Sequence, residues 1–174
     1  RMVQRGWPGP LVLELPADQD SSLSSNLPAV VRSQLLIDGK YLPQRVAAHE
    51  AIVQAMRLMP GPLAAASMVD PEGNAICSGV EAARMAGDSV VAVINDGATH
   101  YGGFASTVRV DGAECQMTAP GVIELEALQR MSQFVVLLVC TGNTCRSPMA
   151  ETLLRDMLTK RFAKLFSGPY PPAT

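Results

Sequence analysis

The sequence predicts a layered α/β protein, and three observations carry that expectation. Stretches with helical apolar spacing are interspersed among β-rich runs, which argues for helices packed on a sheet over an all-β sandwich. The apolar run at 134–140 leads through a glycine-bearing loop into a long amphipathic pattern, as a strand, loop and helix would. A hydrophobic content of 48% over 174 residues is enough to build a buried core.

Taken in order, "GPLVLEL" at 9–15 reads as a strand after a Trp-Pro-Gly-Pro turn, followed by the Asp/Ser-rich surface loop "PADQDSSLSSN". "SQLLIDG" is a short strand candidate. In "AAHEAIVQAMRLM", Ile52, Val53, Met56 and Met59 recur at helical spacing until "PGP" stops the pattern. "LAAAS" is the next strand candidate. Ser78 and Glu81 have capping-box spacing, which predicts a short helix to Ala86 with Gly87 as its stop. "SVVAVIND", "FASTVRV" and "ECQMT" complete the strands, and "PGVIELEALQRM" turns into a helix ending near Ser132. A composition shift at 131–133 sets the expected boundary between a domain at 1–130 and a second at 131–174.

Net charge of −2 provides no basic excess to draw the chain onto nucleic acid or an anionic membrane. The longest apolar run is far below the roughly 18 to 20 residues of a membrane span. No export signal precedes the four cysteines, so a reducing cytoplasm is the expected location. The chain starts at Arg1 and closes on "SGPYPPAT", which cannot continue a helix; both ends read as cut.

The loop "CTGNTCRS" holds the densest chemistry. Ser147 suits an N-cap and Pro148 the first turn of the helix that follows. Met149, Ala150, Leu153, Leu154, Met157, Leu158 and Phe162 form one stripe, as in a helix packing on a sheet by one face. Five residues separate Cys140 from Arg146, a spacing that lets backbone N–H groups and a guanidinium converge on a phosphate. A thiolate at the base of that cradle could attack phosphorus, its pKa lowered by the same field and by a hydroxyl such as Ser147. Gly142 permits a tight path and Asn143 can fix the loop by side-chain hydrogen bonds. Alternatively, Cys140 ends a buried strand and Cys145 fills an ordinary strand-to-helix loop. A zinc site is not expected, because the two cysteines lack two further ligands at usable spacing.

The string "VCTGNTCRSPMAE" resembles the low-molecular-weight protein tyrosine phosphatase family over about 30 residues. The resemblance implies a flavodoxin-like phosphatase domain, of which its first strand, phosphate loop and helix lie here. It makes Cys140 the nucleophile, Arg146 the phosphate clamp and Ser147 the support of the thiolate. Thr141, Gly142, Asn143, Thr144 and Cys145 complete the loop, with Cys145 able to pair with Cys140 on oxidation. No cofactor is implied, and the substrate is a phosphorylated protein or small phosphomonoester. The family's general acid lies in a downstream Asp-Pro element; Asp70-Pro71 is upstream and reads as a turn.

"RGWPGPLVLEL" resembles the threonylcarbamoyl-adenylate synthase family, the YrdC-like domain. "QRVAAHEAIVQAM", "GPLAAAS", "VINDGATHYGGFASTVRVDG" and "APGVI" follow in the family's order. The resemblance implies a twisted mixed sheet with helices, ATP and threonine as ligands, and tRNA or double-stranded RNA as a partner. Arg45, Ala65 and Ser106 would face threonine and Ser67 the nucleotide. Departures are equally visible. The family's Ser-x-Asn is Ser67-Met68-Val69 here, its Arg-Pro-Gly is Ala119-Pro120-Gly121, and its N-terminal basic motif is missing. The expected whole is therefore a fragment of a fusion: a diverged YrdC-like domain that is a synthase or a binding module, then a phosphatase domain.

Overall fold

A computed structural model describes residues 1–17, 27–112, 114–133 and 135–165, with side chains of 162–165 not described. Most of the Asp/Ser-rich loop and all of "SGPYPPAT" lie outside the described residues. The chain divides into two compact units, Arg1–Gln133 and Phe134–Thr174.

The first unit is built on a four-stranded mixed sheet, in the order β2-β1-β3-β4. The strands are β1 (Leu11–Pro16), β2 (Tyr41–Gln44), β3 (Ser106–Asp111) and β4 (Glu114–Ala119). β1 and β3 run parallel with Leu11 opposite Ser106, while β2 and β4 join antiparallel at the two edges. Alternation along β1 sends Leu11 and Leu13 to one face, where they meet Val108 and Leu128 to form the core. Leu128 comes from α5 (Leu125–Ser132), near α1 (Met2–Gly6). Arg5 of α1 donates through Nη1 to the carbonyls of Arg130, Met131 and Gln133, satisfying the last acceptors of α5.

The opposite face is polar. Glu14 is buried on β1, and its carboxylate accepts from Arg109 Nε at 2.7 Å and Thr118 Oγ1 at 3.0 Å. Arg109 also pairs with Asp38 and lies over the Tyr41 ring. Tyr41 donates to Asp111 Oδ2 at 2.6 Å, and Lys40 Nζ reaches the same oxygen at 2.8 Å. A buried charge needs such partners to be tolerated.

Helices α2 (Ala29–Leu35), α3 (Glu50–Leu58) and α4 (Gly79–Ala86) bury no residue completely. Their termini correct two sequence expectations. The strand expected at 33–39 is instead the end of α2 and a turn in which Ile37 bridges to Tyr41. The capping box at Ser78 does not close; Ser78 makes no side-chain cap bond and its backbone bridges to Ala98. α3 has an unforeseen cap, because His49 Nδ1 accepts from Ala51 N at 3.2 Å while Nε2 lies 3.1 Å from Asp96. Asp70-Pro71 forms a turn, with Asp70 accepting from the backbone and side chain of Asn74.

"LAAAS" and "SVVAVIND" form no strand; residues 63–67 and 90–96 are exposed and lack ladder partners among the described residues, and only Val69, just beyond the first, bridges to Ala75. Residues 135–139 of the second unit likewise form no strand and have no ladder partner among the described residues. A strand exists only where a neighbour completes its hydrogen bonds, and apolar alternation does not supply that neighbour. In the same unit α6 spans Arg146–Leu165, with Met149, Leu153 and Met157 of its apolar stripe exposed. No helix among the described residues is long and apolar enough to cross a membrane.

Candidate functional site

In the second unit, the loop at 140–145 leads the chain from residues 135–139 into α6. The left-handed residue is Asn143 at φ 49°, which a short amide side chain tolerates. Sequence reasoning gave the tight path to Gly142, yet a Cβ there would meet only Thr144 Oγ1 at an ordinary 3.6 Å. α6 starts at Arg146, and Cys145 O accepts its bond from Met149 N at 3.1 Å. Ser147 therefore lies inside the first turn and is not the N-cap. It lines the cleft beside Cys140 instead.

One backbone donor of the loop hydrogen-bonds the Cys140 sulfur directly. Asn143 N lies 3.1 Å from Cys140 Sγ. The Ser147 hydroxyl, the Ser147 and Gly142 amides, and then Asn143 N–H, in that order of weight, bring the Cys140 thiol down to about 7, against a smaller opposing effect of burial. Hydrogen bonds to the charged form lower a thiol's pKa in this way, and the N-terminus of α6 acts in the same sense. Ser147 is buried, so its hydroxyl has little competition from water. Near neutral pH Cys140 is about half thiolate, the form that attacks electrophiles.

A cleft of about 220 Å³ opens at this sulfur, lined by Leu138, Val139, Cys140, Arg146, Ser147 and Ala150. Arg146 is exposed, and its Nη2 donates to Thr141 Oγ1 at 2.9 Å. Thr144 and Cys145 are exposed at the loop's rim, and both loop cysteines are free thiols. No carboxylate lines the cleft among the described residues. The arrangement can bind an oxyanion between backbone amides and a guanidinium, and can offer it a nucleophile.

In the first unit, Arg45 and Ser106 meet a common turn. Arg45 Nε donates to Gly9 O at 2.9 Å and Ser106 N donates to Pro10 O at 2.9 Å. Ser106 is fully buried; its hydroxyl accepts from Ile123 N and donates to Ile123 O, both at 2.8 Å. Its bonding capacity is largely occupied by the backbone. Ala65 and Ser67 sit on the exposed stretch 62–69, and no side-chain bond joins them to Arg45 or Ser106 among the described residues. No cluster of three or more His, Cys, Asp or Glu suited to a metal ion occurs among the described residues.

Comparison with known proteins divides along the same lines. Residues 135–166 match the family model described as low molecular weight phosphotyrosine protein phosphatase. Protein-arginine-phosphatase from Bacillus subtilis (strain 168) is 44% identical over 46 residues, which cover 22% of this chain and 31% of that protein. The crystal structure of P. abyssi Sua5 complexed with L-threonine superposes with a TM-score of 0.61 at 23% identity, covering 75% of this chain and 36% of Sua5. A doubly substituted P. abyssi Sua5 gives 0.60 at 24%, covering 74% of this chain and 35% of that one. The chain thus spans about a third of the length of each of these relatives. It joins a Sua5/YrdC-like fold to a stretch similar to the low molecular weight phosphotyrosine protein phosphatase family.

Proposed function

We propose that the loop at 140–147 is the phosphate cradle and nucleophile of a phosphatase working through a cysteinyl-phosphate. The observation that carries this reading is the placement of Cys140, with the Asn143 N–H 3.1 Å from its Sγ, in one cleft with Arg146 and Ser147. The Cys140 thiolate attacks phosphorus, so that an S–P bond forms as the bond to the leaving atom breaks. The leaving atom takes a proton, and water then cleaves the S–P bond to give inorganic phosphate and the free thiolate. Loop amides and Arg146 stabilise the equatorial oxygens in both steps.

The reading covers phosphorylated proteins and small phosphomonoesters, phosphotyrosine first. The similarity to a protein-arginine-phosphatase favours a second substrate class, a phosphorylated guanidinium in which a P–N bond breaks. Activated aryl phosphates, whose leaving group depends least on a proton donor, react most readily. Turnover of an aryl phosphate by the chain, beside phosphotyrosyl and phosphoarginyl peptides, tests the proposal. Cys140→Ser should abolish all activity. Unchanged turnover in that variant would overturn the assignment.

For the first unit we propose a binding module in which synthase chemistry with ATP and threonine has been lost. The Ser106 hydroxyl is engaged by Ile123, and Ala119 and Val69 stand where the synthase resemblance calls for a guanidinium and an amide. The unit's resemblance to the YrdC-like family suggests a tRNA or double-stranded RNA as partner, which the net charge of −2 does not favour. Micromolar binding of ATP or threonine in calorimetry would restore the synthase reading.

A further inference from the structure

We infer that Thr141 is a positioning residue that holds the Arg146 guanidinium ready for phosphate, an inference that rests on reading the loop as a phosphate cradle. The bond from Arg146 Nη2 to Thr141 Oγ1, at 2.9 Å, is the only side-chain hydrogen bond of Arg146 among the described residues. No carboxylate pairs with that guanidinium among them, whereas Arg155 of the same helix is engaged by Glu151. Thr141 directly follows Cys140, so its hydroxyl is tied to the backbone of the nucleophile itself.

The chemistry of the fork explains why this bond helps and does not compete. A guanidinium carries five N–H groups arranged along two edges, each presenting a parallel pair to an oxyanion. Nη2 contributes one hydrogen to each edge. Whichever hydrogen Thr141 accepts, the other edge keeps both donors for two phosphate oxygens. Without the hydroxyl, an exposed arginine samples many rotamers, and ordering it opposes ligand binding. With it, much of that ordering precedes the ligand.

Thr141→Val keeps the shape of the side chain and removes the acceptor; Thr141→Ser keeps the acceptor. The probe is inorganic phosphate, measured by its protection of Cys140 in the full chain against iodoacetamide, with labelling read peptide by peptide in a mass spectrometer. Loss of one hydrogen bond of this kind should raise the half-protecting phosphate concentration about three- to tenfold in Thr141→Val. Thr141→Ser should stay close to wild type. The pH midpoint of Cys140 labelling without phosphate should be the same in all three, since Thr141 is not among the donors to the sulfur. In an Arg146→Ala background the Thr141 substitution should have no further effect, because Thr141 acts through that side chain.

Wild-type protection in Thr141→Val, or an equal loss in Thr141→Ser, would overturn the positioning role and leave the cradle standing. Absence of protection in the wild type, or protection indifferent to Arg146→Ala, would instead overturn the cradle reading itself.

Discussion

Replacing Ser147 with alanine removes the largest single contributor to the low pKa of Cys140. In the native loop the thiol lies at about 7, held there by that hydroxyl first and by three backbone N–H groups after it. The backbone donors survive the substitution, so the thiol should rise only part of the way to the ordinary range of about 8.5. Each unit of such a rise from about 7 would lower the thiolate fraction at pH 6.5 by roughly eightfold to tenfold, by simple titration arithmetic. Iodoacetamide labelling of Cys140 across a pH series measures the midpoint directly, with Ser147→Thr as the control that keeps the hydroxyl. The sign also fixes a stability trend. A thiol with a depressed folded pKa contributes stability above its unfolded pKa and loses it as pH falls through about 7. A midpoint unmoved in Ser147→Ala, or moved downward, would refute the idea that this hydroxyl supports the thiolate.

Three predictions concern the first unit. Ser106→Ala leaves the N–H and C=O of Ile123 without their partner in a buried site and should cost about 1 to 3 kcal/mol in urea unfolding. Gly121→Ala should destabilise as well, since its Cβ would sit 2.5 to 2.6 Å from the backbone of Phe104, Ala105 and Ser106; the urea midpoint measures the loss. Asp111 is held below the usual carboxylate range by Lys40 and then Tyr41, so the stability it contributes is present above about pH 4 and lost on further acidification. Asp111→Asn should flatten that part of an acid-unfolding profile.

The elements that the sequence made legible are those whose information is local. The apolar spacing of α3 and the alternation of β1, β3 and β4 each lie within one short window. So does the separation of Cys140 from Ser147, which share one cleft, although the N-cap role expected of Ser147 was misread. β2 escaped because it is four residues long and contains Pro43, features of an edge strand that no alternation announces. Residues 63–67 and 89–96 erred the other way. Their composition suits a sheet, but pairing depends on a neighbour elsewhere in the chain. The contact of Thr141 with Arg146 left no sequence signal beyond a hydroxyl five residues before an arginine, and rotamers decided the rest.

Trapping the covalent intermediate tests the central claim most directly. The chain is mixed with an activated aryl phosphate, quenched within the first turnover, digested, and mapped by mass spectrometry under conditions that preserve a thiophosphate. The account predicts phosphate on Cys140, absent in Cys140→Ser and diminished in Arg146→Ala. Phosphate on another residue, or phenol release from the wild type that leaves Cys140 unmodified at every quench time, would contradict it.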